Sequence, residues 1–505
     1  MDPPGRRPVR RRRRCGGHST RDSGQCLARA AGTAGLRTRN RTHAGQWRKL
    51  CPSDAGQSTP GVAPPTCHPD PTPPRRFHLS TRIAQTATEK ILARASGLRH
   101  VRAGEVVSPQ PDLVILHDGY IETAHRELSA LGYASIVRPE RVMFVTDHEV
   151  AYASPKAALR GKKIRDIARA WGVGQFFDVG RGGHGHLFPL ERGFVQPGMY
   201  LSCYDMHCTT FGAVGALATA PGPEITTVLA CGTLWEQVPA TVRVELRGTP
   251  GPAVSARDIG FHITTLFARG ELPAQHDNRV IEFCGDFADR LPRSERVALC
   301  NSLTEIGVAN VLFHPIDGGA PVGAADWRSD ADAAFESVIS LDISALGPQV
   351  ALPGGPHHGV DIDSVTGQHV DHTYIGSCGS GMYEDFVAAA SVLHGRRIAE
   401  HVRLFIVPGT VDTAQRLVTE GLQSTFLAAG AVVLPPGCGP CAGGIMGPMA
   451  DGEVSISTAA TNHSGRFGSR TSQAYLASPW TVAASAVQGR ITDPRTLLPN
   501  TTQHP

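Results

Sequence analysis

The chain has 505 residues, a length that favours several domains over one. Hydrophobic residues make up 41% and charged residues 19% of the chain, which allows most of it to bury a core. A formal net charge of +4 is small for this length and argues against a dedicated nucleic-acid binder. No apolar run approaches the roughly 20 residues of a membrane helix. The twelve cysteines lack the dense, regular spacing of a disulfide-bonded secreted domain, so a reducing, cytoplasmic setting is expected.

Residues 1–79 differ in composition from the rest of the chain. Arginines crowd the first fifteen positions, including the run Arg10 to Arg14, and Pro, Gly, Ser and Thr dominate the remainder. Such a segment buries too little apolar surface to offset its ordering entropy, so we predict a disordered, Arg/Pro-rich extension. A transit peptide is the alternative, but the prolines and the lack of an amphipathic helix weigh against it.

Short apolar runs and helical patterns alternate after this extension. The first helical pattern spans Thr81–Gly97. Predicted strands follow at Asp112–Leu116, Arg141–Val145, Met199–Cys203, Val242–Leu246, Ser337–Ile343, Val402–Val407 and Ala431–Leu434. Predicted helices lie at Ala256–Ala268, Tyr383–Leu393, Thr413–Ala429 and Trp480–Val487. Apolar strands separated by helices are typical of α/β layers with largely parallel sheets.

A Pro/Gly-rich connection at Leu352 to His358 indicates a domain boundary near residue 335, and a weaker one is expected near 240. The predicted organisation is therefore the extension at 1–79, followed by α/β domains at 80–240, 241–334 and 335–505.

Asp/His groups follow two of the predicted strands. Asp147 and His148 follow Arg141–Val145, and Asp205 and His207 follow Met199–Cys203. In parallel α/β sheets, ligands bind at the carboxyl ends of the strands. A carboxylate that orients an imidazole tunes it to give or take a proton, so these groups are candidates for acid–base chemistry.

The strongest metal signal is Cys438-Gly-Pro-Cys441. Three interpretations compete. A structural zinc site usually needs a second CxxC, and the sequence has none. A redox dithiol would open a helix, which Gly443-Gly444 does not favour. A cluster held by three cysteines needs one more thiol, and Cys378 lies in a glycine-rich turn just before a predicted helix. The glycine-rich run 180–185 lacks the features of a phosphate loop and is interpreted as a flexible turn.

A series of short motifs runs in one order from about residue 80 to 495. It comprises Thr88-Glu89-Lys90-Ile91-Leu92, Ala103-Gly104-Glu105, Asp147-His148, Pro197-Gly198-Met199, Asp205-Met206-His207, Cys300-Asn301, Glu305-Ile306-Gly307, Ile375-Gly376-Ser377-Cys378, Pro436-Gly437-Cys438-Gly439-Pro440-Cys441 and Gly465-Arg466. Together these motifs resemble the aconitase superfamily, and most closely the large subunit of 3-isopropylmalate dehydratase.

The resemblance implies three α/β/α-type domains around a central [4Fe-4S] cluster held by Cys378, Cys438 and Cys441. The fourth iron would bind the substrate hydroxyl and act as a Lewis acid. Three acid–His pairs would surround the cluster: Asp147 with His148, Asp205 with His186, and Glu305 with His207. His148 would protonate the departing hydroxyl, and Asn301, beside the cluster, and Arg466 would bind substrate.

The family's proton-abstracting serine belongs to a mobile swivel domain, for which this chain has no length. The resemblance therefore predicts a separate small subunit that supplies the base, forming a heterodimer. It also implies a 3-isopropylmalate dehydratase-like hydro-lyase of leucine biosynthesis.

Three departures from the family pattern indicate a changed substrate. Met206 and Cys208 replace Ser and Thr, Gly379-Ser380-Gly381 replaces Thr-Asn-Ser, and Ala460-Thr461-Asn462-His463 replaces Asn-Arg-Asn-Phe. The lost arginine normally pairs with a substrate carboxylate, and losing such a contact costs about 2–3 kcal/mol. Homoaconitate-, citramalate- or dimethylmalate-type substrates are therefore alternatives.

Two other classes of function stay open. A non-catalytic iron sensor would bind RNA through the basic extension, although that segment has almost no aromatic residues for base stacking. A redox-active CxxC protein would turn over with a thiol reductant and bind no iron.

Overall fold

The computed structural model describes residues 83–315 and 326–498, all of which belong to one compact unit, residues 79–505. The predicted extension at 1–79 lies outside the described residues. Within the described part of the chain, the helices lack the combination of length and apolar character that crossing a bilayer requires.

The strands in chain order are β1 Val106–Val107, β2 Leu113–His117, β3 Val142–Val145, β4 Gln175–Phe177, β5 Tyr200–Cys203, β6 Leu217–Thr219, β7 Glu236–Gln237, β8 Thr241–Arg247, β9 Val280–Cys284, β10 Asn310–Phe313, β11 Ser337–Asp342, β12 Gln349–Ala351, β13 Gly359–Asp361, β14 His372–Ile375, β15 Arg403–Ile406, β16 Val432–Val433, β17 Val454–Ser457 and β18 Gln473–Leu476. The α-helices are α1 Ala87–Ala95, α2 Asp118–Ala130, α3 Pro155–Trp171, α4 Phe188–Glu191, α5 Ile225–Cys231, α6 Ala256–Ala268, α7 Asp286–Arg290, α8 Arg293–Ser302, α9 Tyr383–Leu393, α10 Val411–Thr419, α11 Leu422–Ala429 and α12 Pro479–Gln488.

Three sheets use consecutive parts of the chain. The first has the strand order β4-β3-β2-β5-β6 and is parallel throughout. The second, β10-β9-β8-β11, is also parallel. The third, β13-β12-β18-β17-β14-β15-β16, is parallel except where β12 pairs with β13 and β18. The predicted α/β class with largely parallel sheets is confirmed.

The sheets are held by two large apolar cores. The first two sheets share one core, to which Ile115 of β2 and Ile281 of β9 both contribute. The third sheet has its own core, in which Leu404 of β15 packs with Phe386 of α9. β11, on the C-terminal side of the boundary predicted at residue 335, pairs with β8 of the second sheet. The domain boundaries remain a prediction.

Most predicted elements agree with the structure to within a residue or two, and α6 and α9 have the predicted bounds. The single helix predicted at Thr413–Ala429 is wrong: α10 and α11 occupy this stretch. Gly421, between them, has a φ of 79°, a left-handed conformation that ends one helix and begins the next.

Candidate active site and cluster ligands

The acid–base residues of the first sheet meet at one edge. β3, β2 and β5 are adjacent and parallel, so the residues that follow their carboxyl ends come together. His117 is the last residue of β2, Asp147 and His148 follow β3, and Asp205 and His207 follow β5. The structure therefore groups the residues that the sequence analysis had placed at separate strand ends.

Asp147 is the centre of a buried carboxylate–imidazole network. Its Oδ2 lies 2.7 Å from Nδ1 of His117, and its Oδ1 lies 3.0 Å from Nδ1 of His148. The same His148 Nδ1 lies 2.6 Å from Oδ1 of Asp118, the first residue of α2. Asp147 and His148 are thus in contact as predicted, and the structure adds Asp118 as a closer partner of His148.

His148 is held in its protonated form by this network. Burial opposes the charge on the ring, but Asp147 and Asp118 outweigh it and raise the pKa of His148 well above its usual value. Burial likewise opposes ionisation of Asp147, yet His117 and His148 hold the pKa of Asp147 well below its usual range. At neutral pH the pair is therefore an imidazolium beside a carboxylate, ready to donate a proton.

Asp205 is closer to His207 than to its predicted partner. Oδ1 of Asp205 lies 2.9 Å from Nδ1 of His207 and 4.0 Å from Nε2 of His186. Nε2 of His207 lies 3.2 Å from Oε1 of Glu305, as the predicted His207–Glu305 pair requires. The His186 ring contacts His117, at 3.3 Å between the Nε2 atoms, and the His186 amide donates to Nδ1 of His184 at 3.2 Å. His207 thus stands between two carboxylates, while His186 belongs to a group of histidines.

His207 and His186 differ in charge because their neighbours differ. Burial disfavours the charged form of both rings. At His207 this is outweighed by the negative charges of Cys378, as a thiolate, and of Asp205, and the pKa of His207 is raised well above the usual value. At His186 the neighbouring His117 adds to the effect of burial, and its pKa falls well below the usual value. Among the predicted residues, His186 is therefore neutral, and His148 and His207 are charged.

The run 180–185 is not the flexible turn that the sequence suggested. The His184 amide donates to the carbonyl of Gly409 at 2.6 Å, and the Gly185 amide donates to Oδ2 of Asp147 at 2.8 Å. A Cβ on Gly185 would lie 2.5 Å from the His117 ring, so only glycine allows this approach. Residues 182–186 are buried and carry His184 and His186 into the site, whereas Gly180 and Arg181 are exposed.

The three predicted cluster cysteines lie at the edge of the third sheet. Cys378 follows β14, and Cys438 and Cys441 follow β16, a parallel strand two positions away in the same sheet. All three thiols are buried. Sγ of Cys378 lies within 4.8 Å of ring nitrogens of His184 and His186. The backbone amide of Cys438 donates to the carbonyl of Asp147 at 2.8 Å, which joins the thiol region to the acid–base network.

The two predicted substrate-binding residues both contact these thiols. Nδ2 of Asn301 donates to Sγ of Cys378 at 3.1 Å, and Nη2 of Arg466 lies 3.7 Å from Sγ of Cys441. Burial raises the pKa of Cys378 to about 11, although the neighbouring His207 lowers it. Buried sulfurs approached by an amide donor and a guanidinium suit thiolates that ligate an electron-poor metal centre. The residues present therefore fit a three-cysteine cluster.

Sequence reasoning missed His117, Asp118 and His184 as members of this site. His117 and Asp118 directly follow the predicted strand Asp112–Leu116, so the signal that found the other Asp/His groups was present there too. His184 gave no such signal because it lies in a glycine-rich loop. His463 belongs to the segment 460–463, which departs from the family pattern. Its Nε2 lies 3.2 Å from Oε2 of Glu305, and it extends the network to the surface.

The aconitase family model (aconitate hydratase) matches residues 89–319 and 320–489. The chain belongs to the aconitase family. The suspected assignment is thereby confirmed, and with it the hydro-lyase class and the [4Fe-4S] cofactor that this family uses.

Curated relatives match along nearly their whole length. The 3-isopropylmalate dehydratase large subunit of Herpetosiphon aurantiacus is 39% identical over 83% of this chain and 99% of its own. The 3-isopropylmalate dehydratase large subunit 1 of Methanopyrus kandleri is 36% identical over 82% and 100%. The probable methanogen homoaconitase large subunit of Methanothermobacter thermautotrophicus is 37% identical over 82% and 98%. The holo-form aconitase X of Thermococcus kodakaraensis aligns with a TM-score of 0.46 at 13% identity, over 74% of this chain and 89% of that one.

Proposed function

We propose that this chain is the large subunit of a 3-isopropylmalate dehydratase-type enzyme, which removes water from a 2-hydroxy dicarboxylic acid and adds it back. The observation that carries the proposal is the continuity between the Asp147–His148 network and the buried thiols. A proton donor and the ligands of a Lewis-acidic centre stand side by side there, as loss of a poor leaving group such as hydroxide requires.

Cys378, Cys438 and Cys441 would hold the cluster, which when bound supplies an iron that weakens the carbon–oxygen bond. His148, kept charged by Asp147 and Asp118, gives its proton to the departing hydroxyl. His207, between Asp205 and Glu305, is a second charged imidazole in the same cleft.

Asn301 and Arg466 orient substrate beside the thiols. Arg466 is partly buried, and the Cys441 thiol raises its pKa above the usual value, so its guanidinium stays charged. A partly buried guanidinium of this kind can bind a substrate carboxylate. Neutral His186 lies deeper in the site, and we assign it to hydrogen bonding with substrate or with His117.

A small subunit completes the site in this proposal. The curated relatives are large subunits, and this chain spans 98–100% of the length of the first few of them. We propose that the partner carries a swivel-type domain and supplies the base that removes a proton from carbon. Because the relatives include both isopropylmalate and homoaconitate enzymes, homoaconitate is the second candidate substrate.

The test is anaerobic co-expression of the chain with a candidate small subunit, followed by iron and sulfide quantification. Hydration and dehydration are then assayed on 3-isopropylmalate, homoaconitate, citramalate and dimethylmalate. We expect activity only from the complex, and a His148→Gln complex with a full cluster should be inactive. Turnover by the large subunit alone would refute the need for a partner, and inactivity of the loaded complex on every diacid would refute the function.

A further inference from the structure

A stacked pair of tyrosines stands at the edge of the acid–base network. The rings of Tyr120 and Tyr204 have centroids 3.8 Å apart and planes 11° apart. Tyr120 lies in the first turn of α2, shortly after His117 and Asp118, and Tyr204 directly precedes Asp205. Both side chains are partly exposed, and Tyr204 also packs against the apolar cluster that contains Leu116 and Ile121.

The pair faces the groups that would carry out the reaction. The ring of Tyr120 meets the ring of His148 edge-on with centroids 6.2 Å apart, and that of His117 with centroids 6.4 Å apart. Tyr120 also lies close enough to Asp205 and Arg466 to interact with their charges. A substrate bound at His148 and Arg466 therefore lies close to the ring of Tyr120.

Tyr120 does not supply the missing base. Burial and the charge of Asp205 both raise its pKa above the usual value, so its phenol stays neutral at physiological pH. A neutral, stacked tyrosine pair offers mainly aromatic surface, which binds another ring by offset stacking or edge-to-face contact.

At the position where the family carries its carboxylate-binding arginine, this chain has an uncharged residue. Thr461 stands there, and its buried Oγ1 has no hydrogen-bond partner among the residues that the structure describes. Nearby on the thiol side, Gly379 and Gly381 present no side chains. The site thus lacks one charged side chain that would bind a carboxylate, and it contains an aromatic surface.

We propose that the Tyr120–Tyr204 pair binds an aromatic ring carried by the substrate, so that the enzyme prefers an aryl-substituted malate such as 2-benzylmalate. This inference rests on the proposed hydro-lyase function and names its substrate class. The chemistry is unchanged: a C–O bond and a C–H bond on adjacent carbons break and a C=C bond forms, the hydroxyl leaves as water with a proton from His148, and the base of the small subunit takes the proton from carbon. Re-addition with the opposite orientation gives the 3-benzyl isomer.

The test uses the loaded complex with its small subunit and compares kcat/KM for 2-benzylmalate, isopropylmalate and citramalate. The wild-type complex should favour the benzyl compound over isopropylmalate by at least about tenfold. Tyr204→Ala and Tyr120→Ala should reduce that ratio by about tenfold or more, chiefly through KM, because only ring contact is removed. Tyr204→Phe and Tyr120→Phe keep the ring and should keep the ratio.

Trp235→Ala is the matched control, since Trp235 is 67% exposed and borders a different cavity, which Met206 also lines. Iron content, thermal unfolding and affinity for the small subunit are measured for every variant.

Activity on isopropylmalate without preference for the benzyl compound would overturn the inference and leave the proposed function standing. Inactivity on all malates would overturn both. Alanine variants that bind the small subunit more weakly but keep the substrate ratio would overturn it as well, and would assign the tyrosines to the subunit interface.

Discussion

Asp118 controls the proton on His148, and replacing it by asparagine tests whether that proton is used in catalysis. Oδ1 of Asp118 lies 2.6 Å from Nδ1 of His148, and Asp147 lies 3.0 Å from the same nitrogen. An opposite charge at such a distance moves a buried pKa by about 1–3 units, which is about 1.4 kcal/mol per unit. Asp118→Asn removes one of the two carboxylates that raise the pKa of His148, so we expect that pKa to fall by an amount in this range.

The expected result is a change in the pH profile. If charged His148 is the donor, kcat/KM declines as pH rises through its pKa, and in Asp118→Asn the decline begins at lower pH. One pH unit above the new pKa, about a tenth of His148 keeps its proton, so the rate falls about tenfold. The assay is kcat/KM between pH 6 and 10 on the loaded complex, with iron content and thermal unfolding as checks.

Asp166→Asn provides the control, because Asp166 is an exposed residue of α3 that pairs only locally, with Lys162 and Arg169. Its profile should match that of the wild type. An Asp118→Asn enzyme that is folded and loaded, and whose alkaline limb has not moved, would refute the assignment of His148 as the proton donor.

Three further predictions concern the loop, the cluster and the core. Gly185→Ala places a Cβ 2.5 Å from His117, and the displaced ring should lower kcat on the order of 100-fold, whereas Gly174→Ala, with open space around it, should not. Cys438→Ser should lose most of the iron measured after anaerobic reconstitution, while exposed Cys231→Ser should keep it. Phe386→Ala, within the fully buried core of the third sheet, should lower the free energy of unfolding by about 3–5 kcal/mol in denaturant titrations; a loss below 1 kcal/mol would contradict the packing.

Several residues of the site could be predicted without a structure because the residues next to them in the sequence form recognisable patterns. Asp147 and Asp205 follow apolar strands, and the polar residues after a parallel strand necessarily lie at the ligand-binding edge of the sheet. The CxxC at Cys438 and the glycine-rich turn at Cys378 likewise have local signatures. Helices α6 and α9 were predicted with their observed bounds because the spacing of apolar residues acts over a few positions.

Partner choice within the site was decided by tertiary structure. Asp205 approaches His207 at 2.9 Å locally, because it caps the 3-10 helix that begins at Met206, whereas its 4.0 Å distance from His186 depends on how the loop before α4 packs against β5. His184 joined the site only because Gly183 and Gly185 let that loop approach Gly409 and His117 closely.

The sequence by itself determined the α/β class and the family, and it singled out the three thiols and most of the acid–base residues as candidates, since all of these are carried by local patterns in a set order. The tertiary structure alone decided that His148 hydrogen-bonds to Asp118 and that Tyr120 stacks on Tyr204. Both contacts join residues that are distant along the chain, and they form because the parallel order of β3, β2 and β5 brings the ends of these three strands to one edge of the sheet.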